Sequence, residues 1–127
     1  MSQCKKVCLL GATGSIGTSS LEVLALHPED YEVYAVSGFS QTEKLLQICQ
    51  TFHPAYVALP EEKAASFSQQ LKQVGCSSQV VTGQEALVQL ASLAEVDIVI
   101  AALVGFAGLE SSLAAASAGK RVLLANK

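Results

Sequence analysis

Charge is scarce in this chain of 127 residues. Asp, Glu, Lys and Arg make up 15% of it, the net charge is −3, and no basic block occurs. That balance argues against a nucleic-acid partner or an anionic membrane surface, both of which need concentrated positive charge. Long apolar runs are missing too. The longest uninterrupted one, residues 98–104, has seven members and follows Asp97, far short of the roughly 20 that span a bilayer. The opening Met1-Ser2-Gln3-Cys4-Lys5-Lys6 leads into a strand-length run and not into a signal-peptide core. Cysteine occurs four times, at positions 4, 8, 49 and 76. There is no C-x-x-C pair, and no histidine stands at metal-ligand spacing from any of them. A domain this apolar needs no disulfide staples, so all four are read as free thiols in a reducing cytosol, with Cys8 as core filler. A phosphate-binding P-loop is excluded, because the only Gly-Lys pair, Gly119-Lys120, is followed by Arg121. Low-complexity segments and linkers are likewise absent.

Hydrophobic residues fill half of the sequence. At this length that suits one domain with a sheet buried on both faces. Strand and helix patterns alternate throughout. Strands are expected over 6–10, 32–37, 55–59, 79–82, 97–103 and 121–125. Helices are expected over 15–26, 41–52, 61–74, 84–94 and 108–118. Ile16, Leu21, Val23 and Leu24 form the apolar stripe of the first helix, and Leu45, Ile48, Cys49 and Phe52 that of the second. The first two helices end in His27-Pro28 and His53-Pro54, where proline stops them. Each imidazole is read as a partner of a helix C-terminus and not as a catalytic group. Gly119 is the expected C′ residue of the last helix. The alternation predicts an α/β fold, a doubly wound parallel sheet with right-handed crossovers.

One stretch carries more information than the rest. Gly11-Ala12-Thr13-Gly14-Ser15-Ile16-Gly17 follows the apolar run Val7-Cys8-Leu9-Leu10 and opens a helix. A glycine turn there aims backbone N–H groups and the positive end of a helix dipole at one spot, which suits a phosphate. The spacing is G-x-x-G-x-x-G and not the commoner G-x-G-x-x-G of dinucleotide-binding domains. Gly11 lets the chain leave the strand sharply, Gly14 lets the backbone approach a pyrophosphate, and Gly17 lets the helix lie close to the sheet. Thr13 and Ser15 offer hydroxyls that bond phosphate or cap the helix. The expectation is a Rossmann-like dinucleotide-binding domain.

Ligands of such sheets lie beyond the carboxyl ends of the strands. Besides Gly11 to Gly17, those ends hold Gly38, Phe39, Ser40 and Gln41 after the second strand, Ala102 after the fifth, and Asn126 and Lys127 after the last. An NAD-specific domain places an acid after the second strand to hold both ribose hydroxyls. Here Ser37 and Gly38 stand in that place, and no acid follows until Glu43. That favours NADPH over NADH, with Ser40, Gln41, backbone N–H groups and Lys44 left to hold a 2′-phosphate. Equally, Ser40 and Gln41 could simply start the second helix. Lys127 is either a crevice residue or a solvated cation; the residues alone leave both open.

Three segments together point further: residues 9–17 (LLGATGSIG), 101–109 (AALVGFAGL) and 118–127 (AGKRVLLANK). With the two His-Pro pairs between them, the chain resembles the 1-deoxy-D-xylulose 5-phosphate reductoisomerase family over its whole length. The resemblance implies an NADPH-dependent oxidoreductase of non-mevalonate isoprenoid biosynthesis. Its members rearrange 1-deoxy-D-xylulose 5-phosphate and reduce the aldehyde intermediate to 2-C-methyl-D-erythritol 4-phosphate. A divalent metal, magnesium or manganese, acts as the Lewis acid. It implies that Thr13, Gly14, Ser15 and Ile16 contact the pyrophosphate side of the cofactor, that Asn126 contacts the cofactor, and that Lys127 contacts substrate. Phe39-Ser40-Gln41 departs from the Gly-Lys/Arg-Asn often found there. The metal ligands and lid of the family lie beyond the equivalent of Lys127. The expectation is therefore an N-terminal NADPH-binding domain over 1–127 that is inactive alone, from a cytoplasmic, homodimeric enzyme.

Two rivals stand beside this reading. A semialdehyde dehydrogenase-like enzyme also opens with G-A-T-G-x-x-G, and a non-catalytic NADP-sensing module would need no more than this chain. A short-chain dehydrogenase is disfavoured, because Tyr31, Tyr34 and Tyr56 are followed four places on by Ala35, Gly38 and Pro60 instead of lysine.

Overall fold

The computed structural model describes residues 4–12, 14–38, 41–101, 119 and 121–124. Within them the chain runs β1 (Lys5–Leu10), α1 (Ser15–Ala25), β2 (Tyr31–Ser37), α2 (Thr42–Phe52), β3 (Tyr56–Leu59), α3 (Glu61–Gln73), β4 (Gln79–Thr82), α4 (Gln84–Ala91), β5 (Ile98–Ala101) and β6 (Arg121–Leu124). The strands form one six-stranded sheet in the order β4-β3-β2-β1-β5-β6. Every pair in it is parallel. This is the doubly wound sheet that the alternating pattern predicts.

β1 lies at the centre, and Val7, Cys8, Leu9 and Leu10 are all fully buried. Alternate residues face opposite sides. Val7 and Leu9 join Leu21 and Leu24 of α1, Leu45 of α2, and Phe67 and Leu71 of α3 in one core. Cys8 and Leu10 join Ala86, Leu87 and Leu90 of α4 in the other. Three crossovers thus step outward from β1 to β4 with their helices on one face. The chain then returns past β1 to β5, with α4 on the opposite face. The strand order reverses between β1 and β5, which places the crevice of an open α/β sheet at their carboxyl ends.

β2 carries one irregularity with consequences for the site. Val7 pairs with Val33 but Cys8 with Ala35, so Tyr34 is an extra residue. A slipped residue turns every following side chain to the other face. Tyr34 and Ala35 therefore share the α4 face. The Tyr34 ring lies 5.9 Å from that of Tyr56, 4.9 Å beneath the Lys6 ammonium, and its hydroxyl donates to Glu95 Oε2 at 3.0 Å.

Local chemistry moved several boundaries. α1 ends at Ala25 with Leu26 as C-cap, before the His27-Pro28 pair expected to stop it. Val23 leaves the expected apolar stripe: it is 57% exposed, while Leu21 and Leu24 are buried. α4 stops at Ala91, three residues short, because Ser92 turns back on the helix. Its hydroxyl donates to the Val88 carbonyl at 2.8 Å, an alternative to continued helix that serine offers readily. His53 is the C-cap of α2 in the left-handed conformation, φ 50°. Gly119 has φ 78°, as a C′ glycine would; the helix expected over 108–118 lies outside the described residues. All four cysteines are free, and all but Cys4 are buried.

Candidate functional site

The site starts where β1 ends. Gly11 has φ 81°, a left-handed conformation that glycine adopts without a Cβ penalty. The chain turns there, and the Gly14 N–H reaches back to the Gly11 carbonyl at 3.4 Å. Gly14 is the N-cap of α1, with no side chain to offer, and no acid stands in the first turn. The Thr18 N–H and hydroxyl both donate to the Gly14 carbonyl at 2.8 Å. The opening of α1 thus presents first-turn N–H groups and the positive dipole end at the carboxyl end of the central strand.

The three glycines serve different ends. A Cβ on Gly17 would lie 2.2 Å from the Gly11 carbonyl oxygen and 2.8 Å from the Ala12 Cα. Gly17 is therefore required by close packing of the helix on the turn at the end of β1. Among the described residues, a Cβ on Gly14 would meet only the Gly11 oxygen, at an ordinary 3.7 Å. Nothing among the described residues requires glycine at position 14.

The turn is tied to the end of β2. The Gly11 N–H donates to Ser37 Oγ at 2.8 Å, and the Ala12 N–H donates to the Ser37 carbonyl at 2.8 Å. Ser37 is 3% exposed. The sequence marks Ser37 only as the residue where an acid is missing; its bond to the glycine turn needs the β2 irregularity to aim the side chain. Gly38 is buried and donates to the Ala58 carbonyl at 3.0 Å. Gln41 is exposed, caps α2 through its backbone and makes no side-chain cap bond. It borders an open hollow of about 510 Å³ with Thr42, Glu43, Lys44 and Gln47. Of the other expected site residues, Ser15 and Ile16 lie in the first turn of α1. Thr13, Phe39, Ser40, Ala102, Asn126 and Lys127 lie outside the described residues.

A cavity of about 320 Å³ extends the site where no expectation stood. Ser37 and Gly38 form one wall, Leu59, Pro60 and Glu61 another, and Gly83 and Leu87 a third. Apart from Leu87 of α4, these lie at the carboxyl ends of β2, β3 and β4. The strand-end rule that marked Gly11 and Gly38 would have marked Pro60 and Gly83 as well.

Chemically the arrangement can bind an anion and hold an elongated ligand along the strand ends. Burial pushes the Cys8 and Cys49 thiols up to about 12, so neither is a thiolate at neutral pH. Among the described residues no group of three His, Cys, Asp or Glu could hold a metal ion.

The family model described as 1-deoxy-D-xylulose 5-phosphate reductoisomerase matches residues 7–127. The enzyme of that name from Psychrobacter sp. (strain PRwf-1) is 52% identical over 97% of this chain. That from Pseudomonas fluorescens (strain SBW25) is 48% identical over all of it. The chain spans only 30% and 32% of those two relatives. A crystal structure of DOX-P reductoisomerase in complex with NADPH, fosmidomycin and magnesium superposes with a TM-score of 0.92 at 45% identity, covering 96% of this chain and 30% of that one. The enzyme from Zymomonas mobilis in complex with NADPH superposes with a TM-score of 0.90 at 32% identity, covering 98% of this chain and 32% of that one.

Proposed function

Because this chain belongs to the 1-deoxy-D-xylulose 5-phosphate reductoisomerase family, we propose that residues 1–127 form the NADPH-binding domain of such an enzyme. The turn from Gly11 to Gly17 carries the reading. It joins a left-handed glycine, an uncapped helix start and a glycine with an open face, at the one place where the strand order reverses. In this reading the pyrophosphate lies on the N–H groups of Gly14, Ser15, Ile16 and Gly17, with Thr13 beside them. The 2′-phosphate side meets Gly38, Phe39, Ser40 and Gln41. Ala102 and Asn126 border the cofactor, and Lys127 reaches substrate. Two family structures carrying NADPH support the cofactor.

The whole enzyme would isomerise and reduce 1-deoxy-D-xylulose 5-phosphate as a cytoplasmic homodimer. The described residues do not fit a divalent metal; in this reading magnesium or manganese is held by the two thirds of the relatives' length that this chain does not span. No step of the chemistry is assigned to these residues. Their work is to bind and orient the reductant.

Titration of the chain with NADPH and with NADH, followed by nicotinamide fluorescence, tests the reading. Saturable binding that favours NADPH is expected. Preference for NADH would refute the cofactor assignment. The same preparation should not oxidise NADPH when 1-deoxy-D-xylulose 5-phosphate and a divalent metal are supplied, and turnover would refute the division of labour.

A further inference from the structure

We propose that Ser37 is a positioning residue for the cofactor, the latch that holds the glycine turn in its anion-binding shape. The proposal rests on the NADPH reading above. The Gly11 N–H leaves β1 at the point where parallel pairing ends and is only partly open to water, so it gains from an acceptor within the protein. Ser37 Oγ supplies it at 2.8 Å, and the Ser37 carbonyl takes the next donor, that of Ala12, also at 2.8 Å. One residue of β2 therefore binds two successive N–H groups of the turn. Gly11 is thereby held at φ 81°, and the same turn carries the Gly11 oxygen and Ala12 backbone against which Gly17 packs. Moving Gly11 would move the start of α1 with it.

The β2 irregularity makes the latch possible. Val36 sits in the core beneath α1 to α3, so the alternation sends Ser37 to the α4 side, where it lines a cavity with Ala58 and Leu87. With regular pairing Ser37 would point under the other helices and the Gly11 N–H would have no side-chain acceptor. The hydroxyl is spent on the turn and buried at 3% exposure. Ser37 thus acts on the cofactor through the turn.

The test compares Ser37→Ala, Ser37→Cys and Ser37→Thr in the 127-residue chain with two probes, NADPH and 2′-AMP. The latter carries the 2′-phosphate but no pyrophosphate. Alanine removes the acceptor, cysteine replaces it with a weak one of similar size, and threonine keeps the hydroxyl. Losing one hydrogen bond of ordinary strength predicts roughly three- to tenfold weaker NADPH binding for Ala and Cys. Affinity for 2′-AMP should be unchanged, and threonine should restore NADPH binding. Cysteine keeps the test decisive should alanine fail to fold. Equal NADPH affinity in the cysteine and unsubstituted chains would overturn the latch, as would an equal loss for both probes or a threonine variant no better than cysteine. No NADPH binding by the unsubstituted chain would instead overturn the proposed function, and the latch with it.

Discussion

Replacing Gly17 with alanine should separate the mechanical role of the glycine turn from its binding role. In a helix, alanine is worth about 1 kcal/mol over glycine, so propensity alone predicts stabilisation. The structure predicts the reverse. The new Cβ would stand 2.2 Å from the Gly11 oxygen and 2.8 and 2.9 Å from the Ala12 Cα and carbonyl carbon. Those atoms are backbone, held in turn by Ser37, and cannot swing aside as a side-chain tip can. α1 would have to retreat from the turn and reopen its packing on β1. Overpacking of this kind costs about 1–3 kcal/mol, occasionally more, and a backbone clash belongs at the upper end. Set against the propensity gain, the net loss is about 2 kcal/mol. At roughly 4 °C per kcal/mol for a chain of this size, Tm should fall by about 8 °C. Gly14→Ala is the control. Among the described residues its Cβ meets only one atom, at 3.7 Å, and its φ of −75° and ψ of 172° suit alanine. Its stability should stay within about 0.5 kcal/mol of the parent, while NADPH binding weakens roughly tenfold or more, since the added methyl fills the approach of the pyrophosphate. Thermal unfolding followed by circular dichroism, with nicotinamide fluorescence on the same samples, reads both effects. A Gly17→Ala chain as stable as the parent would refute the packing argument. Gly14→Ala binding NADPH normally would refute the separation of roles.

Thiol chemistry gives two checks. Cys4 is exposed, whereas Cys8, Cys49 and Cys76 are buried; a disulfide reagent at pH 8 should titrate one thiol quickly in the native chain and four after denaturation. The Cys8 and Cys49 thiols are raised from 9.0 to about 12 by burial. The folded state therefore holds protons that the unfolded chain releases above pH 9. Their contribution is complete below pH 9 and is lost as pH climbs toward 12, with a slope of up to about 1.4 kcal/mol per pH unit for each thiol; urea unfolding at pH 8, 9.5 and 10.5 should show the decline. Phe67 on the inner face of α3 is 1% exposed, and Phe67→Ala should cost about 3–5 kcal/mol in the same assay. A loss under 1 kcal/mol would mean that α3 is not part of the main core.

Much of this fold is legible in the sequence, and for definite reasons. Strand and helix differ in the period of their apolar residues, so the order of elements from β1 to β6 follows from the pattern alone. The turn at Gly11 was legible because few residues other than glycine tolerate a left-handed exit from a buried strand. Helix ends were less so. Ser92 stopped α4 through a hydroxyl bond to Val88, and Val23 turned outward, because short-range patterns do not say which flank of a helix a sheet will cover.

The sequence by itself determined the alternation of elements, the family, and the place of the glycine turn, since each depends on residues that are neighbours along the chain. Only the tertiary structure decided that Gly17 is dictated by the backbone of Gly11 and Ala12, that the ends of β3 and β4 enclose a cavity beside Gly38, and that Ser37 latches a turn 26 residues away. These depend on how β1 and β2 lie side by side. One extra residue at Tyr34 sets which face Ser37 addresses, and register between strands is a property of the assembled sheet that neither strand carries alone.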